Sequence, residues 1–254
     1  MDQVYLPKNR HGFSIGSYVA ITPLREPAEI ERPHFYNVSL EPLKVQIIQE
    51  IFSLIEKHSN TYENIIITGS FLDKGFCFND IDILLISEEK EEMSQITKSI
   101  EEQFGIKSQI LVLSNKTLLK GLSMDPLYEM MLSSCVAKKR FIYKVQKEVH
   151  YKQLDLQLLK SKALLDNFDL LDGSEKWYLV RNLICIALFL ENKKINKVNV
   201  EKGVHDSLTI DIVSIKKNML DKTVFLKKYK ALYQKTFMQI LDAIKHDTKQ
   251  KQTS

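Results

Sequence analysis

The chain contains few cysteines, and their arrangement excludes two common uses of this residue. Cys77, Cys135 and Cys185 are odd in number and far apart, so no disulfide framework is expected. The six histidines are scattered, and none stands at a zinc-type spacing from a cysteine. We interpret Cys77, which falls in a loop, as a packing residue rather than a nucleophile.

Long apolar runs and a recognisable targeting segment are also missing. The longest apolar run covers residues 183–190, whereas a membrane span needs about 18 apolar residues. Residues 1–3 lack the basic-then-apolar order of a signal peptide. The sequence therefore predicts a cytoplasmic protein without a membrane partner.

The chain has no arginine-rich cluster and no platform of interleaved basic and aromatic residues. Residues 151–254 contain 19 lysines and arginines against 12 acidic residues, whereas residues 1–150 contain 17 against 20. A basic C-terminal part suits an anionic partner, but solvated lysine faces on helices give the same counts. Charge alone therefore does not indicate nucleic-acid binding.

The periodicity of apolar residues divides the chain into four segments. Residues 1–38 carry several glycines and prolines, which predict an N-terminal extension with one strand of a hairpin at 17–21. Residues 39–148 mix helical and strand patterns, and residues 149–247 contain helical patterns alone. Residues 248–254 are a polar tail. The whole predicts an α+β fold, in which a small mixed sheet with helices is followed by an α-helical bundle domain.

Strands and helices alternate in the predicted mixed domain. Ser39 is the expected N-cap of the first helix, which has Pro42 in its first turn and ends near residues 58–60. A second helix lies within 88–104, and a third begins with Asp125 as N-cap and Pro126 at the first helical position. The predicted strands cover residues 65–67, 81–86, 109–113 and 141–143.

Four helices are predicted after residue 150, at 151–170, 174–192, 207–219 and 222–246. The last of them has an apolar face that is typical of a helix packed on a core. The residues of this face are Val224, Tyr229, Leu232, Phe237, Ile240 and Ile244.

Two aspartates stand where the second predicted strand begins. Alternate residues of a strand point to the same face, so Asp80 and Asp82 project together and Ile81 projects to the other side. Paired carboxylates beside an apolar strand repel one another, and a divalent cation such as Mg²⁺ or Mn²⁺ removes that repulsion. A loop-capping Asp80 and a solvated Asp82 at the strand edge are the alternative.

The first strand leads directly into Gly69-Ser70. Gly69 allows a ligand to approach the backbone closely, and the Ser70 hydroxyl with nearby N–H groups can bind phosphate oxygens. Lys74 can reach a phosphate from the same loop, although a loop lysine is ordinarily solvated.

The whole pattern over about residues 40–145 resembles the signature of the DNA polymerase β-like nucleotidyltransferases, in particular the minimal type with a C-terminal helical domain. The pattern is an apolar strand, Gly-Ser, nine residues, and Asp-x-Asp entering a second apolar strand. Asn79 stands where many members of the family have serine. The resemblance implies transfer of a nucleoside monophosphate from ATP or another NTP to an acceptor. It also implies that Gly69 and Ser70 hold the triphosphate, while Asp80 and Asp82 bind Mg²⁺ or Mn²⁺.

The sequence departs from this family at the third carboxylate, which active members usually carry on the neighbouring strand. The strand at 109–113 contains no acid, and Gln109 is the residue nearest to the expected place. An amide coordinates metal weakly and cannot act as a general base. The acid can be missing because the strands align differently, because a base comes from elsewhere, or because catalysis is lost.

Three functions therefore stay open at the level of sequence. The first is an Mg²⁺-dependent nucleotidyltransferase whose acceptor is an RNA, a protein or a small molecule. The second is a non-catalytic nucleotide-binding or regulatory module, and the third is an RNA-binding adaptor that uses the C-terminal helices.

Arg181 is unusual because it lies in the apolar part of a predicted helix. A cation in such surroundings needs either an acid across an interface or an anionic ligand. We predict that it pairs between the two domains.

Overall fold

A computed structural model describes residues 32–59, 61–76, 78–89 and 93–252, with side chains described to residue 244. Residues Pro33–Ser254 form one compact unit, and the description that follows concerns this unit. The hairpin strand predicted at 17–21 and the side chain of Cys77 lie outside the described residues.

The described part of the chain contains a five-stranded mixed sheet and nine α-helices, which confirms the predicted α+β class. The sheet order is β1-β5-β2-β3-β4. β3 and β4 are parallel, and the other neighbours are antiparallel. The strands are β1 (His34–Tyr36), β2 (Tyr62–Thr68), β3 (Asp80–Ser87), β4 (Lys107–Leu113) and β5 (Cys135–Ala137).

The apolar strands β2 and β3 lie in the centre of the sheet and are covered on both faces. On one face, Ile81, Ile83 and Leu85 pack with α1 (Pro42–His58) and α2 (Ser94–Phe104). On the other face, Leu84 and Ile86 pack with residues of α3 (Asn115–Met124) and α4 (Pro126–Leu132). Alternate residues of β3 therefore enter different cores, as the period of a strand requires.

The helix ends agree only in part with the sequence prediction. Asp125 caps α4 as predicted, because its carboxylate accepts a hydrogen bond from the Leu127 N–H at 2.9 Å. The prediction of Ser39 as the first N-cap is wrong. Glu41 occupies that position and Pro42 is the first helical residue, where its missing N–H leaves no intrahelical bond unmade.

The strand predicted at 141–143 is wrong, and the last strand of the sheet is Cys135–Ala137 instead. The hydroxyl of Tyr36 replaces the strand neighbour that would bond the backbone of Phe141 in a sheet. It donates to the Phe141 carbonyl at 3.0 Å and accepts from the Phe141 N–H at 2.9 Å. The two rings also stack at 4.5 Å.

Five helices follow residue 150, at α5 (Tyr151–Asp166), α6 (Gly173–Leu190), α7 (Lys197–Leu208), α8 (Ile212–Lys216) and α9 (Lys222–Gln252). The single helix predicted at 207–219 is wrong. Thr209 ends α7 in the left-handed region at φ 56°, and Asp211 then caps α8 by accepting from the Ser214 N–H. Among the described residues, no helix has both the length and the apolar character needed to cross a membrane.

The five helices share one apolar core, which α6 crosses. The face predicted for α9 is correct at Tyr229, Leu232 and Ile240 but wrong at Val224 and Phe237, which are 51% and 41% exposed. The helix continues to Gln252, through most of the predicted polar tail. The fully or nearly buried positions are Phe225, Tyr229, Leu232, Thr236 and Ile240, at spacings of three and four.

A glycine sets the contact between α6 and α8. A Cβ added to Gly173 would lie 2.0 Å from the Lys216 carbonyl oxygen, so only glycine lets the two backbones approach this closely. This contact fixes the end of α8 beside the first turn of α6.

Candidate functional site

The two aspartates of the predicted motif lie at the start of β3. Asp80 and Asp82 are both half-buried and alternate with the buried Ile81. They share the face of β3 that continues into Leu84 and Ile86, because strand residues two apart point the same way. The predicted juxtaposition of the two carboxylates is therefore present.

Gln109 lies beside this pair. In the parallel ladder between β3 and β4, Gln109 is the register partner of Asp82. Its Nε2 atom donates a hydrogen bond to Asp80 Oδ2 at 2.7 Å. The strand predicted at 109–113 therefore lies next to β3, and the side chain that it places beside the two aspartates is an amide.

Gly69 brings its backbone against the carboxylate of Asp82. Its φ of 85° and ψ of −166° belong to a region that only glycine adopts readily. A Cβ added to Gly69 would lie 2.0 Å from Asp82 Oδ2. The chain then turns through a single 3₁₀ turn, Ser70–Leu72, so that Ser70 follows the glycine beside the acid pair.

The Asp82 carboxyl carries an electrostatic penalty. Burial raises its pKa above the usual range, the charge of Asp80 raises it further, and the charge of Arg181 opposes both effects. Its ionised form is therefore destabilised by the fold, and positive charge brought to the pair relieves that destabilisation.

The loop between Gly69 and Asp80 is held by a buried lysine that was not predicted from the sequence. Lys44 of α1 is 3% exposed, and its ammonium group donates to the carbonyl oxygens of Asp73 and Gly75. Glu41 accepts from the Gly75 N–H at 2.9 Å and lies 3.4 Å from the Lys44 ammonium group. The loop that leads into Asp80 is thereby fastened to the start of α1.

Lys74 is not one of the residues in these contacts. Its side chain is exposed, and it is absent from the described residues that line the cavity beside the aspartates. Lys197 lies at that cavity instead, with its ammonium group 2.5 Å from Asp73 Oδ1. A role for Lys74 in phosphate binding stays a prediction.

A cavity of about 580 Å³ lies between this end of the sheet and the helices that follow residue 150. Gly69, Ser70, Asp82 and Gln109 line its sheet side, with Asp73 from the loop. Residues of α4, α6, α7 and α8 form the opposite wall. They are Leu127, Met130, Met131, Trp177, Tyr178, Arg181, Lys197, Val200, Glu201, Ile212, Val213 and Lys216.

Hydrogen bonds fix this wall to the sheet. The Thr68 hydroxyl at the end of β2 donates to the Met131 carbonyl at 2.8 Å, which holds α4 at the cavity. Glu129 of α4 accepts from the Ile195 N–H at 2.9 Å and lies 3.0 Å from the Lys147 ammonium group. The segment that begins α7, with Lys197, is therefore held next to α4.

Arg181 faces this cavity from α6. Its guanidinium carbon lies 5.1 Å from the centre of the Tyr178 ring, and its buried Nε atom has no hydrogen-bond partner. Its charge acts on Asp82 across the cavity. No described residue forms an ion pair with Arg181, so the predicted pairing is not formed within the described residues.

Most residues of the helical wall were not predicted from the sequence. A signal was present for two of them, because Trp177 and Tyr178 precede Arg181 by about one helical turn and can share its side of α6. Lys216 and Glu201 belong to α8 and to the exposed surface of α7. Nothing local in the sequence indicates that they line the same cavity.

The other acids considered from the sequence lie elsewhere. Asp125 caps α4 and also accepts hydrogen bonds from Gln153 and Gln157 at 3.0 and 3.1 Å. Glu101 and Glu102 are exposed on α2. In the part of the chain that the structure describes, no group of three or more histidine, cysteine, aspartate or glutamate side chains could hold a metal ion.

Two of the cysteines are buried in the described structure. Burial raises the pKa of Cys135 and of Cys185 to about 12, so both thiols are protonated at neutral pH. Because the thiolate is the nucleophilic form, neither thiol is suited to nucleophilic attack.

In comparisons with known proteins, neither a protein-family model nor a curated protein matches the chain.

Proposed function

We propose that the protein is an Mg²⁺-dependent nucleotidyltransferase of the DNA polymerase β-like type. The observation that carries the proposal is the convergence of Gly69, Ser70 and Asp82 at one end of the cavity, with Asp80 next to Asp82 on the same face of β3. The Asp82 carboxylate lies against Gly69, which follows β2. Gln109 of β4 donates a hydrogen bond to Asp80. The nucleotidyltransferase fold and the separate helical domain belong to this proposal.

The donor set fits Mg²⁺ or Mn²⁺. Asp80 and Asp82 supply two carboxylates, and the Gln109 amide oxygen is a further hard ligand beside them. Mg²⁺ commonly uses one or two protein carboxylates and completes its coordination with water and substrate phosphate. When bound, the cation supplies charge neutralisation at the transferred phosphoryl group.

The remaining residues bind and orient the substrate. Gly69 lets the Asp82 carboxylate lie against the backbone, and Ser70 offers a hydroxyl and an N–H to phosphate oxygens. In the reaction, the acceptor oxygen bonds to the α-phosphorus as the bond to pyrophosphate breaks, and the acceptor proton passes to water. Such catalysis rests mainly on positioning and electrostatic stabilisation.

The direct test is transfer of label from each of the four α-³²P NTPs into cell extract with Mg²⁺ or Mn²⁺. We expect label to appear with the unmodified protein and to be absent with the Asp80→Ala/Asp82→Ala double variant. Asp155→Asn, at an exposed position of α5, is the matched control and is expected to transfer normally. Equal labelling by the double variant would refute the proposal.

A non-catalytic nucleotide-binding module is the second candidate. The observation that favours it is the amide at Gln109, which cannot act as a base. In this case Mg²⁺ with an NTP raises the melting temperature, yet no pyrophosphate is released. Measurement of both quantities on the same sample separates the two candidates.

Gln109→Glu is expected to lower the stability of the protein without metal and to increase its affinity for a divalent cation. The substitution keeps the size of the side chain, but it removes the donor to Asp80 and adds a third negative charge. We expect the melting temperature in EDTA to fall by about 2–4 °C, corresponding to ~1 kcal/mol. Mn²⁺ should then stabilise the variant more than the unmodified protein.

Gln103→Glu is the matched control for this substitution. Gln103 also donates its amide to a carboxylate, that of Glu50, at 2.8 Å and at an exposed place. Its change should leave the response to Mn²⁺ as it is. If Gln109→Glu gained no Mn²⁺ response either, the three side chains would not converge on one cation.

A further inference from the structure

The helical wall of the cavity presents two cations, each beside an aromatic ring. Arg181 lies 5.1 Å from the Tyr178 ring centre, and the Lys216 ammonium group lies 6.0 Å from the Trp177 ring centre. Within the described residues, neither cation takes part in an ion pair. Lys197 at the same cavity is different, since Asp73 neutralises it at 2.5 Å.

Of the two cations, Arg181 has the greater need of a hydrogen-bond acceptor. Its Nε atom is buried without a hydrogen-bond partner, and an unsatisfied buried donor costs free energy. Lys216 is exposed and can be solvated. An anion in the cavity would give the Arg181 guanidinium the acceptor that the described protein atoms do not supply.

The wall around these cations is largely apolar. Leu127, Met130 and Met131 line it from α4, Val200 from α7, and Ile212 and Val213 from α8. Apolar surface of this kind binds the hydrocarbon or aromatic body of a ligand, and methionine adapts to irregular shapes.

The size and charge of the cavity favour a small molecule over a nucleic-acid strand. Its volume of about 580 Å³ falls in the usual range for small-molecule sites. A strand would need a continuous basic track. Here Lys197 is already paired, and the carboxylate of Glu201 also lines the wall.

We propose that this wall is the acceptor site of the transferase, and that the acceptor is a small molecule with an apolar body, a hydroxyl group and one anionic group held by Arg181. This assignment rests on the proposed function. The apolar body packs on α4 and α8, and the hydroxyl faces the sheet side, where Asp82 and Gly69 lie. Lys216 contributes a weaker, solvated attraction to the same anionic group.

The test uses two fluorescent probes that share one skeleton. 8-Anilinonaphthalene-1-sulfonate carries a sulfonate, and N-phenyl-1-naphthylamine is the same molecule without it. We expect the full chain to bind the sulfonate probe at one saturable site. Arg181→Met should weaken that affinity about tenfold, the effect of losing ~1.4 kcal/mol, and should leave the affinity for the neutral probe unchanged.

Arg140→Met is the matched control, because Arg140 is exposed and does not line the cavity. It should bind both probes normally. Arg181→Lys keeps the charge and should retain most of the affinity for the sulfonate probe, which separates a charge effect from a folding defect. Equal sulfonate-probe affinity in Arg181→Met and the unmodified protein would overturn the proposal.

Competition with nucleotide identifies which anion Arg181 serves. We expect Mg²⁺-ATP and the sulfonate probe to bind together, because the acceptor and the triphosphate occupy different parts of the cavity. Displacement of the probe by Mg²⁺-ATP, together with loss of Mg²⁺-ATP affinity in Arg181→Met, would assign Arg181 to the triphosphate and overturn the proposal.

The same variants separate this inference from the proposed function. Probe binding needs no turnover, so Arg181-dependent binding without any label transfer would support the anion site while the transferase failed. If transfer occurs, we expect the label in a small-molecule fraction that resists RNase and protease. Label in RNA or protein would uphold the transferase and overturn this acceptor.

Discussion

Asp82→Asn is expected to abolish nucleotidyl transfer and, in the same protein, to increase stability in the absence of divalent cations. The loss should be at least about 100-fold, because even residues that only hydrogen-bond to a metal ligand contribute about 10–100-fold. Asparagine keeps the shape of the side chain beside Gly69 but removes the charge. Initial rates of label transfer at saturating NTP and Mg²⁺ measure this part of the effect.

The gain in stability follows from the raised pKa of Asp82. The unfolded carboxyl titrates near 3.8 and the folded one at a higher pH, because burial and the charge of Asp80 oppose ionisation. Between these two pKa values the folded state binds more protons, so the stability of the unmodified protein falls as the pH rises. Above the folded pKa, the unmodified protein carries the full cost of ionising Asp82 in the folded state. The Asp82→Asn variant has no charge at this position and avoids that cost.

Thermal unfolding in EDTA from about pH 3, below the unfolded pKa of 3.8, to about pH 8 measures this difference. The variant should be equal to the unmodified protein at the acid end and more stable by about 2 °C near neutral pH, since partial exposure screens the repulsion. Mg²⁺ should stabilise the unmodified protein alone. A variant that is less stable than the unmodified protein at every pH would show that ionised Asp82 is satisfied within the fold.

The central strands and the acid pair could be predicted because their signals are local. The β-branched run before Gly69 and the alternation around Ile81 each need only a few neighbouring residues. The strand that begins near Gln109 could also be predicted, because its apolar run follows the helical pattern of α2, and the structure pairs it with β3. In these segments, the alternation of apolar residues and the burial of the strands indicate the same structure.

The other side of the cavity depends on contacts between residues distant in the sequence. Arg181 and Lys216 are brought to one wall because Gly173 lets α8 approach α6, and no local period reports such a contact. The prediction of a strand at 141–143 was wrong for a similar reason. The Tyr36 hydroxyl, 105 residues away, takes the backbone groups of Phe141 that a sheet neighbour would have bonded.

Gly69→Ala is expected to disrupt both the fold around the acid pair and the transfer reaction. Two costs combine, because the backbone has φ 85° and ψ −166° and because the new methyl group would lie 2.0 Å from Asp82 Oδ2. Strain of this kind and overpacking each contribute on the order of 1–3 kcal/mol. We expect a loss of ~2–4 kcal/mol in the free energy of unfolding.

The comparison with Gly105→Ala separates the effects at Gly69 from the ordinary cost of alanine at a left-handed helix end. Gly105 ends α2 with φ 66°, and a Cβ there would meet nothing within 4 Å. Its alanine variant should lose only about 1 kcal/mol and should transfer label normally. Urea unfolding of both variants, with transfer measured where each is still folded, gives by difference the additional cost at Gly69, which combines its glycine-only backbone conformation with the Asp82 contact. If the two variants were equally stable and equally active, the Gly69 backbone would not lie against the Asp82 carboxylate, and the geometry on which the nucleotide site rests would be wrong.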